Sequence, residues 1–180
     1  METWEWIVVV VGAAAALLLL VALVSIRRRR SRLEERFGPE YERAVSSMGR
    51  GEAERRLDRL EHEHDELTLR SLPPAARERY LEEWKQAETR FVSDPRDAVR
   101  AAERVVVRIL EDRGYPTDRD VEERAALVAA DHPDVVDRYR HGQAMLEQVH
   151  GDRSTENLRK AMLDFRVVME ELLEDARTAA

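Results

Sequence analysis

Twenty residues from Ile7 to Ile26 carry no charged side chain, and Arg27 to Arg32 (RRRRSR) comes directly after them. No other feature restricts so sharply what this chain can fold into. As a helix rising 1.5 Å per residue the run is roughly 30 Å long, the thickness of a bilayer's hydrocarbon core. The spacing predicts one transmembrane helix over residues 7–26. A buried core helix of that length without a charge would be unusual.

The flanks give the run its expected character and direction. A cleavable signal peptide carries positive charge before its apolar stretch and a small-residue site after it. Here the order is reversed. The N-terminus reads METWEW, with Glu2 and Glu5 and no basic side chain, and the residues after the run are arginines. The expectation is a retained anchor. Lys and Arg beside a membrane helix stay cytoplasmic. The chain is therefore expected to be a single-pass plasma-membrane protein, with residues 1–6 as a short extracytoplasmic N-terminus and residues 27–180 in the cytoplasm. Trp4 and Trp6 fall where amphipathic rings prefer the headgroup layer. Gly12 and Ala16 form a small-xxx-small pair, though Ala13 to Ala15 blur any single face.

Charge divides the chain again. The whole carries −7, and the collar Arg27, Arg28, Arg29, Arg30 and Arg32 is strongly basic, so the residues beyond the collar are more acidic than the total. An acidic domain is repelled by phosphates, which argues against nucleic acid as a partner. The collar itself is expected to contact anionic lipid in the bilayer. With no cysteine in the chain, disulfides, thiolate nucleophiles and Cys-based metal sites are excluded.

After the collar every segment shows helical spacing, so the expected fold class is all-α. The first helix is expected to continue through the arginines to Phe37, with Gly38-Pro39 opening the next, which ends near Gly49. Residues 27–70 then form a basic collar and charged juxtamembrane helices. Within them Ala53, Leu57, Leu60, His64 and Leu67 make a stripe that fits a short paired stalk or, better, a helix lying on the main domain. Ser71-Leu72-Pro73-Pro74 is the clearest break, and a helix is expected after it from about Pro74 to Val92. Residues 71–180 are expected to form a compact soluble bundle of about five helices. Their stripes include Tyr80, Trp84 and Phe91, then Ala98, Ala102, Val105, Val106 and Ile109, then Val135, Tyr139, Gly142, Leu146 and Val149, and finally Leu158, Met162, Phe165, Met169 and Leu172. Asp94 is an expected helix cap, Thr117 with Asp120 an expected cap pair for a shorter helix carrying Val121, Ala125 and Val128, and Ser154 or Thr155 the expected cap of the last helix. Gly151 is expected to end the helix before the last.

No set of residues reads as a catalytic, cofactor or metal site. His62 and His64 are two apart on a helix and point in different directions. The HExxH spacing, which stacks two imidazoles one turn apart, is absent. Glu61 with Asp65 can at most hold a weak cation. His64 on the apolar stripe is a proton-sensitive point. Asp131-His132 can be an oriented base, but it reads better as helix-starting turn chemistry, since no G-x-S-x-G nucleophile setting accompanies it. His141 and His150 lack a carboxylate partner at ligand spacing. Every carboxylate is expected among arginines on an outer face. The aromatics Tyr80, Trp84 and Phe91 fit either the bundle core or a groove for a partner helix.

Several short motifs stand together: Arg36-Phe37-Gly38-Pro39-Glu40-Tyr41, Tyr80-x-x-x-Trp84 running to Phe91 and Pro95, Arg113-Gly114-Tyr115-Pro116, and Asp131-His132-Pro133 leading to Tyr139-Arg140. In that combination the chain resembles, over about residues 33–173, a family of uncharacterised small single-pass membrane proteins of actinobacteria. The resemblance implies a membrane location and brings no catalytic residues with it. The reading is a non-enzymatic, membrane-anchored helical interaction or scaffold module, without cofactor, whose partner is another protein or itself. The alternatives are an exported helical domain released after signal cleavage, and a metal-assisted hydrolase using Glu/Asp/His clusters.

Overall fold

Four of the six prolines open helices, and they punctuate the whole architecture. The computed structural model describes residues 3–147 and 154–178, and among these residues there are eight α-helices and no strand. They are α1 (Thr3–Phe37), α2 (Pro39–Met48), α3 (Arg50–Asp65), α4 (Pro74–Arg90), α5 (Pro95–Arg113), α6 (Val121–Val128), α7 (Pro133–Glu147) and α8 (Ser154–Thr178). Pro39, Pro74, Pro95 and Pro133 each occupy the first helical position, where a missing N–H costs nothing. Side-chain caps reinforce two starts. Asp94 accepts from the Asp97 amide at 3.0 Å and Asp120 from the Glu123 amide at 2.8 Å.

α1 is a single unbroken helix with two different environments. Val11 to Ile26 lies exposed, whereas Leu33 and Phe37 are fully buried. The segment Val11–Phe37 contains a window of mean hydropathy 1.9, none of it covered by protein. It is long and apolar enough to cross a membrane, a description that a signal sequence near the N-terminus also meets.

One continuous core runs through the rest. It joins Leu33 and Phe37 of α1, Tyr41 and Ala44 of α2, and Ala53, Leu57 and Leu60 of α3 to Tyr80, Val106, Ile109, Val136 and Phe165. The stripe on α3 is thus spent within the chain, with Ala53, Leu57, Leu60 and His64 buried and Leu67 half-buried against the core. The segments before and after Ser71 share apolar packing, and the Arg70 amide donates to the Arg113 carbonyl at 2.9 Å across that break. α8 is the central rod, with α7 and α5 along two of its sides and α4 over α5. Gly142 makes the α7–α8 approach close. A Cβ there would meet the Phe165 ring at 3.1 Å.

The expected helix over residues 74–92 ends earlier. The Phe91 amide donates to the carbonyls of Ala87 and Glu88 and closes the helix at Arg90, leaving Val92 92% exposed. Glu170, Glu171 and Glu174 lie exposed on α8. The expectations for Val149, His150, Gly151 and the Ser154 cap fall outside the described residues and side chains.

α5 stops at Gly114, which is left-handed at φ 98°. The Gly114 amide donates to Glu111 and the Tyr115 amide to Leu110, both at 2.9 Å, the paired bonds of a Schellman turn. A Cβ at Gly114 would stand 2.6 Å from the Thr68 carbonyl oxygen of the passing α3–α4 loop. Backbone strain and that clash act together, so Gly114→Ala is expected to lower stability by about 2 kcal/mol or more. Urea unfolding of the two proteins measures it, and equal midpoints would refute the argument.

Candidate functional site

The arginines beyond the apolar run are placed by two helices, not one. On α1, Arg29, Arg32 and Arg36 recur at spacings of three and four. On α3, Asp58, Glu61 and Asp65 do the same. Such residues share one helix face, and here the two faces meet. Arg29 pairs with Asp58, Arg32 with Glu61 at 3.0 Å, and Arg36 with Asp65 at 2.7 Å. Cross-links tie neighbouring levels, from Arg32 to Asp58 at 3.5 Å and from Arg36 to Glu61 at 3.1 Å. The hydrogen bond and charge of Arg36 hold the Asp65 carboxyl below the usual carboxylate range. The sequence-derived collar is therefore divided. Arg29 and Arg32 turn toward α3, Arg30 pairs with Glu34, and Arg27 and Arg28 stand exposed with no partner among the described residues.

Arg36 also starts a polar chain across the core. Its guanidinium donates to His64 Nδ1 at 3.0 Å. That leaves the ring proton on Nε2, which donates to Asp131 Oδ2 at 2.7 Å. Tyr115 Oη donates to the same oxygen at 2.6 Å. Burial opposes the Asp131 charge, but the bonds from His64 and Tyr115 outweigh it and hold its carboxyl below the ordinary range. Asp131 thus aims at His64 and not at its neighbour in sequence. His64 has both ring nitrogens engaged, so it offers no free lone pair to a substrate proton. His132 is buried elsewhere, with Arg113 Nη1 3.3 Å from its Nε2.

The expectation that all carboxylates lie outside fails at Glu40, Glu61 and Asp164, which are 6%, 5% and 3% exposed. Each is buried because a cation from another helix reaches it. Arg140 on α7 grips Glu40 on α2 with two bonds of 2.7 and 3.1 Å, and its Nε donates to Glu122 on α6 at 2.8 Å. Arg138 reaches Asp164 at 3.1 Å, and His141 Nδ1 bonds its other oxygen. His141 therefore has the carboxylate partner that spacing along its own helix did not reveal.

Glu61 and Asp65, read from sequence as a weak cation pair, are both taken by Arg36. Among the described residues no three His, Asp or Glu side chains converge as a metal site. Of the aromatics, Tyr80 and Trp84 lie in the core. Tyr80 Oη donates to Asp112 at 2.5 Å and Trp84 Nε1 to Glu88 at 2.9 Å. Phe91 is half-buried and lines a shallow dimple with Glu88, Arg159, Met162 and Leu163. Compared with protein-family models, curated proteins and solved structures, the chain matches none.

These pairs generate two expected outcomes. Removing one partner of a buried ion pair strands the other, so Glu40→Ala is expected to cost about 3 kcal/mol in chemical denaturation, with Glu40→Met/Arg140→Leu recovering most of it. An unrecovered double variant would contradict this. Asp131, whose folded value is depressed, adds stability above about pH 4 that is lost as pH falls through that folded value. Asp131→Asn should therefore flatten the acid limb of the stability curve below pH 4, whereas parallel curves would show the carboxylate to be inert.

Proposed function

We propose that this chain is a non-enzymatic interaction or scaffold module held on the cytoplasmic face of the plasma membrane by α1, with its N-terminus outside. The observation that carries the reading is the continuity of α1. One helix presents an uncovered apolar surface from Val11 to Ile26 and then, without a break, buries Leu33 and Phe37 in the domain. Bare apolar area of that extent favours lipid around it. Its basic flank favours the cytoplasmic side for the domain. The helices from α4 onward form the bundle of about five, and kinship to single-pass actinobacterial membrane proteins belongs to the same proposal.

The polar clusters support a structural role over a catalytic one. His64, Glu40 and Asp164 each have both side-chain polar atoms engaged by groups on neighbouring segments. Such saturation stiffens a domain and leaves its acidic outer surface to a protein partner or a second copy.

Trypsin protection on sealed membranes tests the anchor and its direction. Inside-out vesicles should expose residues 27–180 to digestion and right-side-out vesicles should shield them, with the membrane-bound chain retaining its N-terminal residues by mass spectrometry. A mature chain beginning beyond Ile26 in the culture supernatant would replace this reading with that of an exported domain.

A further inference from the structure

Three of the five ion pairs between α1 and α3 share one separation, and the two cross-links fall about one turn short of it. Arg29–Asp58, Arg32–Glu61 and Arg36–Asp65 are each 29 residues apart. A constant offset arises only when two helices run parallel and in step. It assigns heights along α1 to the rest of α3. Arg55, Arg56 and Arg59 fall at roughly the level of residues 26–30, which is the collar, and Arg50 falls at roughly the level of residue 21, inside the apolar run. The first half of α3 therefore returns to the place where the uncovered helix leaves the domain.

The cations there are unspent. Arg27, Arg28, Arg50, Arg55, Arg56 and Arg59 have no hydrogen bond or ion pair among the described residues, and all but the half-buried Arg56 are exposed. Residues 27–32 and 50–59 hold nine arginines against three carboxylates, Glu52, Glu54 and Asp58, in a chain whose total charge is −7. Two of those carboxylates are engaged, Glu54 accepting from Tyr41 at 3.1 Å and Asp58 pairing with Arg29 and Arg32. Arg55 and Arg59 line an open groove with Arg29 and His62, whose acidic members are Asp58, Glu63 and Glu66, and Glu63 is drawn away by Arg119 at 2.7 Å.

From this juxtaposition we infer that Arg55, Arg56 and Arg59 form a second cationic row that docks on anionic phospholipid headgroups beside the span. The inference rests on the proposed membrane anchor and deepens it. Lipid phosphate is the partner that fits, because the row stands at headgroup height and surface charge near an anionic leaflet is attracted strongly. The domain is then held by two contacts, the span and α3, and sits upright on the bilayer with a fixed side toward it.

The cysteine-free sequence permits a direct test with single nitroxide labels on the full chain in vesicles. Val24→Cys reports the span, His62→Cys, exposed in the groove with Arg55 and Arg59, the row, and Glu111→Cys, beside the far end of α3, serves as the distant reference. With nickel chelated on lipid headgroups, the His62 label should collide several-fold more often than the Glu111 label in vesicles with about 30% phosphatidylglycerol. The difference should fall in pure phosphatidylcholine and in Arg55→Glu/Arg59→Glu. Those two side chains have no partner among the described residues, so circular dichroism should show the variant folded. If the Val24 label lies in lipid but the His62 label ignores both lipid charge and the substitutions, the row is refuted and the anchor stands. A Val24 label open to water would overturn the anchor and the row together.

Discussion

Two faces of opposite charge, each spaced three and four along its helix, meet between α1 and α3. The rest of the arrangement leans on that register. Single surface pairs contribute little, since side-chain entropy and screening offset the Coulomb gain. Here several arginines and carboxylates cross-link, Glu61 is buried, and Leu33, Phe37, Leu57 and Leu60 close apolar contacts beneath them. The combination fixes the apolar helix to the domain as one body. Without it α1 would be a helix joined at a hinge.

The same register links the outer layer to the bundle. Arg36 belongs both to the pairs with α3 and to the chain through His64 to Asp131 and Tyr115. The Glu40–Arg140 pair does similar work on the other flank, bridging residues 100 apart. Buried pairs of this kind add less to stability than their removal costs, because each member needs the other to tolerate the interior. They restrict which helix faces which, and so they help select one packing of the helices.

Much of the fold was legible because its signals are local. Prolines at helix starts, Gly114 at a helix end, the Asp94 cap and the apolar stripes can all be read within a few residues, whereas the Thr117–Asp120 pair reads three residues too early, since Asp120 itself caps α6. Partner choice is not local. Nothing near Glu40 announces a cation a hundred positions later, and Asp164 looks like any carboxylate on a charged helix until Gly142 lets α7 close on α8. The matched spacing of Arg29, Arg32 and Arg36 with Asp58, Glu61 and Asp65 was visible in the letters. It was obscured because the run of arginines invited a single explanation in lipid. Phe91 and Val92 illustrate the opposite failure, since an apolar stripe continued on paper for two residues beyond the point where the backbone turns away.

Because α1 passes from bare apolar surface into the core without interruption, its azimuth is inherited by everything attached to it. At about 100° per residue, Gly12 and Ala16 fall on roughly the same side of the helix as Phe37 and Leu33. A neighbouring span that nestled against those small residues would stand on the side of α1 that turns into the core, well round from the face that Arg29, Arg32 and Arg36 present to α3. Adding a single amino acid between Ile26 and Arg29 would swing the domain by more than a quarter turn about its own stem, pointing the whole body in a new compass direction while leaving both halves of the helix intact.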